Sequence, residues 1–392
     1  YKYHGGEDAV FQAESAMLKR NGHTVEDLVF DNKEIQSFLD KILLVIKGVY
    51  NRKSAGELER VIQHFKPHII HVHNFFPLAS PSIFFAAGKY GIPVVVTLHN
   101  YRLICPSATL YFRGKIYEEN IHKLFPLGAI VKGVYRNSKL QTAGLALITS
   151  VHNLIGTWRN KVARFIVLTN FAKRKFADSA LRVSEDQLVV KPNFVEDPGY
   201  TESEREDFFL MVGRLSVEKG IDTILEAMKQ GNFKIVFIGD GPLKDRVIEA
   251  TTKNPNIQYL GFQNKPEILD YLRRCRALLF PSVWYEGFSI TILEAFSTGT
   301  PVVASRLGSM AEVVTDQVNG LHFEPGNAQD LVTKVNRLKD DAALGARLGV
   351  NARKTYEELY TPEKNSKLLL DIYTKLLGST KQEVTKTEEY GK

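Results

Sequence analysis

Tyr285-Glu286-Gly287-Phe288-Ser289-Ile290-Thr291-Ile292-Leu293-Glu294-Ala295-Phe296-Ser297-Thr298-Gly299-Thr300-Pro301-Val302-Val303-Ala304-Ser305 sets two carboxylates, Glu286 and Glu294, eight positions apart around a glycine turn and an apolar run. Just upstream, Ala277 to Phe280 end at Pro281-Ser282, which predicts a buried strand whose exit loop carries Glu286 and then a helix from near Ser289 to Gly299. Pro301-Val-Val-Ala reads as the next strand, so the stretch is one strand-helix-strand unit of a parallel α/β sheet. Ile290, Ile292, Leu293, Ala295 and Phe296 leave Glu294 little polar face, and a charge in such surroundings is costly unless something polar meets it. Eight residues of helix rise about 12 Å. That span suits two carboxylates gripping hydroxyl groups on either side of a diphosphate, with the amides of Gly287, Phe288 and Ser289 facing the phosphates. The layout fits a nucleotide sugar.

The same stretch resembles the Glu-x7-Glu signature of the retaining glycosyltransferases of family 4 (glycosyl transferases group 1). That family has the α/β GT-B fold, two Rossmann-like doubly wound parallel-sheet domains facing a central cleft. The resemblance implies that Glu286 is catalytic and holds the donor sugar, while Glu294 holds the ribose. From the residues alone, Glu286 capping the helix and Glu294 pairing with a buried Arg or Lys is the competing account. A second motif, Gly213-Arg214-Leu215-Ser216-Val217-Glu218-Lys219-Gly220, follows the apolar run Phe208 to Val212, so Arg214 and Lys219 leave the carboxyl edge of a sheet, where ligands collect. The resemblance implies that they bind the donor diphosphate; a solvated basic loop is the ordinary alternative. It also puts Phe262, in the loop Gly261 to Asn264, near the base. That loop does not choose between uracil and guanine; as donor, a UDP-sugar is favoured over a GDP-sugar. Gly239-Asp240-Gly241-Pro242 ends a further strand, but Lys244 stands where a dinucleotide fingerprint has its third glycine. A plain turn and a close approach to the nucleotide are equal readings there.

In the first half, Thr97-Leu98-His99-Asn100-Tyr101-Arg102 resembles a segment of polysaccharide-building members of the family. His99 closes an apolar strand and is expected to be catalytic, with Tyr101 and Arg102 as candidate acceptor contacts. Gly5-Gly6-Glu7 precedes a helix that runs to Arg20. Gly6 would let backbone amides approach the donor phosphates, and Glu7 would reach the acceptor. His71 and His73 share one side of a strand and could form a metal pair, but no nearby carboxylate completes a ligand set, so a structural role is preferred and no metal is expected. No Asp-x-Asp triplet occurs, which argues against a metal-bridged diphosphate site. Charge on the departing nucleotide would instead be met by Arg214, Lys219 and the helix amides.

The chain of 392 residues, 44% hydrophobic, allows two sizeable cores. Apolar runs expected as buried strands are Val25 to Phe30, Ile69 to Val72, Val94 to Leu98, Phe165 to Leu168 and Leu188 to Val190 in the first half. In the second half they are Phe208 to Val212, Ile235 to Ile238, Ile257 to Leu260, Ala277 to Phe280, Val302 to Ala304 and Leu321 to Phe323. Pro198-Gly199 and an acidic run between Asn193 and Asp207 mark a hinge. The expected domains are 1–195 for the acceptor, joined by a returning helix at 362–378, and 196–361 for the donor, followed by a disordered polar tail at 379–392. The family has a loop after its first strand where this chain reads Tyr1-Lys-Tyr-His-Gly-Gly-Glu, so that strand is expected ahead of residue 1, and a targeting signal there stays open.

Net charge is +7, and residues 1–200 carry 26 Lys+Arg against 17 Asp+Glu, whereas 201–392 carry 25 against 27. Between Arg113 and Phe176 there are 12 bases and two acids, Glu118 and Glu119. Together with the nearly uncharged Gly144 to Ser150, this segment reads equally as a surface for anionic lipid and as a solvated helical insert. No nucleic-acid-binding motif accompanies it, so no nucleic-acid partner is expected. Cys105 and Cys275 are too few and too far apart for a disulfide framework, which points to a reducing compartment; with the basic segment, the expected setting is cytoplasmic, at the inner face of the cell membrane. No apolar stretch is long enough to span a bilayer. The expected function is retaining transfer of a sugar from a nucleoside-diphosphate sugar to an acceptor hydroxyl of a polysaccharide or lipid-linked glycan, with no cofactor. The rivals are a GT-B nucleotide-sugar epimerase and a non-catalytic nucleotide-sugar-binding protein.

Overall fold

The computed structural model describes residues 6–30, 47–76, 78–200 and 204–389. The chain forms two compact units, one of Tyr1–Thr109, Glu118–Pro192 and Asn365–Lys392, the other of Leu110–Tyr117 and Asn193–Lys364.

In the first unit, strands β1 (Ile70–Val72) and β2 (Val94–Leu98) lie in one parallel sheet with two later strands. These follow an antiparallel hairpin of β3 (Tyr111–Phe112) and β4 (Lys115–Ile116), and are β5 (Arg164–Val167) and β6 (Leu188–Val190); the sheet order is β1-β2-β5-β6. Every residue of β2 is buried, as expected of a strand covered by helices on both faces. Val95 pairs with Arg164 and Leu98 with Val167, so the carboxyl ends of β2 and β5 finish level, and His99 emerges there. Val25 to Phe30, expected as a strand, forms no helix or strand and pairs with none among the described residues, and Val29 is 71% exposed. The segment lines a cavity of about 1010 Å³ that Ile70 and Val72 of edge strand β1 also border, so the edge that could have bonded it is not in reach.

The second unit has a six-stranded parallel sheet of β7 (Phe209–Val212), β8 (Ile235–Ile238), β9 (Ile257–Tyr259), β10 (Ala277–Phe280), β11 (Val302–Ser305) and β12 (Gly320–Phe323), in the order β12-β11-β10-β7-β8-β9. Side chains alternate between two cores. Phe209 and Met211 face one with Leu331 and Val335, while Leu210 and Val212 face the other with Leu293 and Phe296. The strand order reverses between β7 and β10, and a doubly wound sheet binds its ligands outside the carboxyl ends at that reversal. The loops that leave β7 and β10 are the Arg214 and Glu286 segments.

Two boundaries differ from the sequence reading. The hairpin within Leu110–Tyr117 groups with the second unit, close enough to Glu218 for that charge, after burial, to raise the Tyr111 phenol. Arg113 and Lys115 of the basic stretch therefore go with that unit. The last helix runs from Pro362 to Glu389, through the segment expected to be a disordered tail. Neither Pro nor Gly lies between Ser379 and Glu389, and extending a helix already formed avoids the cost of a new nucleus.

Candidate active site

The second unit holds one cluster of candidate site residues. Glu286 is 6% exposed, and its Oε1 accepts from Lys219 Nζ at 2.8 Å, Ser282 Oγ at 2.6 Å and Trp284 Nε1 at 2.8 Å. Oε2 has no hydrogen bond among the described residues, so the carboxylate is clamped by one oxygen and open at the other. The Lys219 ammonium also lies over the rings of Phe280 and Trp284, at 5.5 and 5.7 Å from their centroids. It carries three protons and spends one on Glu286, so it keeps donors for a phosphate. Glycine is required at 220 for this pairing. A Cβ on Gly220, whose φ is +71°, would lie 1.9 Å from the Pro281 carbonyl oxygen, which is how the β7 and β10 loops come into contact.

Arg214 is exposed and ion-paired with Glu218, whose carboxylate also accepts from Ser216 Oγ at 2.7 Å. Burial pushes Glu218 up, but Ser216 and Arg214 outweigh it and hold the acid below its usual range. Gly239 underlies this loop, since a Cβ there would meet the Gly213 carbonyl oxygen at 2.0 Å. The Gly239 to Pro242 turn thus acts by supporting Gly213 to Leu215, with Leu215 N donating to Asp240 O at 2.9 Å.

The helix begins at Ile290 and ends at Ser297, with Ser289 Oγ capping the Ile292 amide at 3.3 Å. Only Ile290 to Glu294 of the Glu286–Glu294 interval is helical, so the 12 Å rise expected from eight helical residues does not apply. The amides of Gly287, Phe288 and Ser289 have no hydrogen-bond partner among the described residues, which leaves three donors at a helix N-terminus ready for an anion. The Phe288 ring packs edge-on against Tyr360 with centroids 6.0 Å apart. Glu294 is 9% exposed, and among the described residues its carboxylate meets only Lys265, at 3.5 Å. Burial raises its carboxyl above the usual range, and Lys265 offsets only part of this. Phe262, at 81% exposure, presents a bare ring beyond β9.

The first unit holds a buried polar cluster beneath His99. His99 Nε2 lies 3.0 Å from His73 Nδ1, and His73 Nε2 lies 3.1 Å from Glu14 Oε2, near enough for attraction though off the best line for an N–H···O bond. The other Glu14 oxygen is ion-paired with Lys191, which is fully buried and donates to Asn365 Oδ1 at 3.0 Å. Burial alone would raise Glu14; the Lys191 ammonium and His73 overcome it and hold the acid well below its usual range. Burial pushes His99 down to about 3, so its ring is neutral. His71 bonds Tyr373 at 2.7 Å and Thr97 at 2.8 Å.

Glu14 corrects the expectation that no carboxylate stands beside the histidine pair, because the ligand-type atoms of Glu14, His71 and His73 lie within 4.8 Å of one another. The acid comes from the distant helix Gly6–Arg20, which no local spacing rule could connect to β1. The Lys191 ammonium already on Glu14 opposes a dication there, and His71 has both nitrogens bonded. Tyr101 is a second correction. It is 2% exposed and stacks on Phe176 with centroids 5.6 Å apart, so its ring belongs to the core and not to an acceptor surface. Glu7 accepts from Asn74 Nδ2 at 2.5 Å, and the Arg102 guanidinium sits 5.5 Å over Phe76. Gly6 opens its helix with no atom within 4 Å of a notional Cβ, so no close backbone approach explains it. Sequence reasoning missed Glu14, Lys191, Ser282 and Trp284. The one legible signal was Lys191 directly after an apolar strand.

Two Rossmann-like units, with paired acids and cations at the switch point of one of them, define the class of two-domain GT-B proteins. Residues 10–197 match the model described as Glycosyltransferase Family 4, and residues 195–355 match that of Glycosyl transferases group 1. The chain belongs to the GT-B glycosyltransferases. An uncharacterized glycosyltransferase of Methanocaldococcus jannaschii is 33% identical over 172 residues, 43% of this chain and 48% of the relative. The O-antigen chain mannosyltransferase C of Escherichia coli is 29% identical over 184 residues, 46% and 50% of the two chains. The chain thus spans about half the length of these curated relatives. Among solved structures, Anabaena HepE in complex with UDP superposes with a TM-score of 0.66 at 17% identity, covering 95% of this chain and 96% of that one, a likeness of fold.

Proposed function

We propose that the protein transfers a sugar from a uridine-diphosphate sugar to an acceptor hydroxyl of a growing glycan or lipid-linked oligosaccharide, with the anomeric configuration retained. The observation that carries this reading is Glu286, held through Oε1 by three donors with Oε2 left open, beside three unbonded amides at the Ile290 helix. In this account Oε2 accepts from a hydroxyl of the donor sugar and Glu294 from the ribose. Arg214, Lys219 and the amides of Gly287, Phe288 and Ser289 take the diphosphate charge without a metal. The departing phosphate oxygen takes the acceptor proton as the glycosidic bond breaks and the new bond forms on the same face, so no protein nucleophile is needed. Phe262 supplies a ring for the base, and Glu7 and Arg102 face the acceptor. The UDP in the HepE complex, and relatives that are a mannosyltransferase and a sulfoquinovosyl transferase, support the donor class.

We further propose that the first unit rests on an anionic membrane surface at the inner face of the cell membrane. Leu140, Leu147 and Leu154 recur every seven positions on the helix Lys139–Leu154, forming one exposed apolar stripe. Leu127 and Val131 are exposed on the short helix Leu127–Lys132 packed against it, with Lys123, Lys132, Arg136 and Lys139 around them. No helix among the described residues is long and apolar enough to cross a membrane.

The test is to incubate the protein with a panel of UDP- and GDP-sugars and a lipid-glycan extract, and to read the product linkage by proton NMR. An axial donor is expected to give an axial product. An inverted linkage overturns retention, and donor turnover without acceptor points to an epimerase.

A further inference from the structure

Glu294 is a nearly buried acid with a single partner. Its side chain is 11% exposed, and Oε1 lies 3.5 Å from Lys265 Nζ, the outer limit of a hydrogen bond. No other donor among the described residues reaches either oxygen. A carboxylate taken out of water normally accepts several hydrogen bonds, so this one keeps room for the donors of a ligand. Its helix, Ile290–Ser297, carries no other charged residue and packs against the helices Lys265–Arg274 and Ala342–Leu359. On those neighbours Glu267 is taken up by Asn264 N, Asp270 by Arg274, and Arg353 by Asp197 and Glu357. Among the described residues Lys265 is therefore the one charge that acts on Glu294. The place of Lys265 is itself fixed. It opens its helix behind Asn264, whose Oδ1 accepts from Glu267 N at 3.0 Å while Asn264 N donates to Glu267 Oε2 at 3.0 Å, a reciprocal cap that holds the first turn.

We propose that Lys265 is a positioning residue for the donor site, the counter-ion that lets Glu294 stand in the empty site as a carboxylate with oxygens left to accept from the two ribose hydroxyls. A protonated Glu294 would spend one oxygen on its own proton and accept more weakly at the other. The ion pair, and not Glu294 alone, thus sets the preference for a ribonucleotide over its 2′-deoxy form. The ammonium favours the ionised acid and burial opposes it, so without the ammonium the carboxylate is lost at a higher pH. This inference rests on the reading above in which Glu294 meets the ribose of the donor.

Three forms decide it: the wild type, Lys265→Met, which keeps the stem and drops the charge, and Lys265→Arg, which restores a cation. Lys265 is 55% exposed and the Asn264 cap does not use its side chain, so all three should fold alike. Carbon-13 at the glutamate carboxyls, with Glu294→Gln to assign the signal, reads the Glu294 titration with no nucleotide present. Its midpoint is expected about one pH unit higher in Lys265→Met and close to wild type in Lys265→Arg. Calorimetry between about pH 5 and 8 then gives the ratio of the Kd for 2′-deoxy-UDP to that for UDP, in which the titration of the diphosphate itself cancels. Wild type and Lys265→Arg are expected to favour UDP roughly tenfold or more at neutral pH. Lys265→Met should lose that preference about one pH unit above the wild type. A Glu294 midpoint unmoved in Lys265→Met overturns the proposal. So does a loss of UDP affinity in that variant that is the same at every pH, which marks a direct contact with the nucleotide. If the midpoint moves but neither nucleotide binds, the donor reading above fails and the ribose role with it, whereas UDP binding with an unmoved midpoint leaves that reading standing and removes Lys265 from it.

Discussion

Replacing Glu286 by alanine leaves Lys219 Nζ, Ser282 Oγ and Trp284 Nε1 aimed at an empty position. Ser282 is 1% exposed, so water cannot fully satisfy its hydroxyl, whereas Lys219 and Trp284 are partly open to solvent. One fully buried unsatisfied donor costs about 1–3 kcal/mol and the two partly wetted donors less, which gives a loss of roughly 2–3 kcal/mol in the second unit. At about 2–4 °C per kcal/mol for a unit of this size, the midpoint of its thermal transition should fall by roughly 4–12 °C. Glu286→Gln keeps an acceptor oxygen for the same three groups and should lose less than half as much. Function divides differently. Both variants lose the open carboxylate oxygen, so kcat with donor sugar should fall at least a hundredfold, while the Kd for bare UDP stays within about threefold. Scanning calorimetry, steady-state kinetics and UDP titration together make the test. An unchanged transition in Glu286→Ala, or an equal loss of affinity for UDP and UDP-sugar, would refute the reasoning.

Other consequences concern charge. Burial raises the Glu294 carboxyl above its reference value of 4.5, so the ionised acceptor for a ribose hydroxyl is lost as pH falls through the raised value. UDP affinity should drop between neutral pH and about 4.5, and Glu294→Gln should bind weakly throughout without that pH dependence, as titration at several pH values can read. The same raised pKa means that the folded unit is favoured at low pH and loses this contribution as pH rises through it. Lys191→Met strands the Glu14 charge and should destabilise the first unit by about 3–5 kcal/mol in urea, whereas adding Glu14→Gln should restore most of it. Because Glu14 is held below its usual range, its ion pair stabilises above the unfolded value of 4.5 and is lost as pH falls through the lower folded value. Neutralising Lys132, Arg136 and Lys139 should weaken binding to anionic vesicles at least tenfold, at about 1 kcal/mol per base near the surface, with Lys132 contributing less because it pairs with Glu119. Unchanged co-sedimentation would remove the membrane contact.

The second unit was legible because its signals are local. Most strands are apolar runs followed within two residues by Gly or Pro, and Arg214, Lys219 and Glu286 lie two to seven residues beyond a strand's carboxyl end, with Glu294 on the helix that follows. Contacts made by distant segments were not legible. Glu14 sits on a helix whose pattern gives no hint that His73 and Lys191 will surround it, and the pairing is fixed only when that helix packs on the sheet. Tyr101 misled because its neighbours His99 and Arg102 are polar, yet the turn in which Tyr101 N bonds Ala108 O carries its ring to Phe176. Val25 to Phe30 has the composition of a strand, but a strand also needs a neighbour to bond.

The central claim, that this chain grips an activated sugar through Glu286, Glu294 and the basic loop, is tested most directly by calorimetric titration of wild type and Glu286→Ala with UDP, a UDP-sugar and a GDP-sugar. The account predicts that the wild type binds the UDP-sugar more tightly than UDP and that Glu286→Ala loses this difference alone. A wild type that binds none of the three, or binds UDP and UDP-sugar alike, would contradict it.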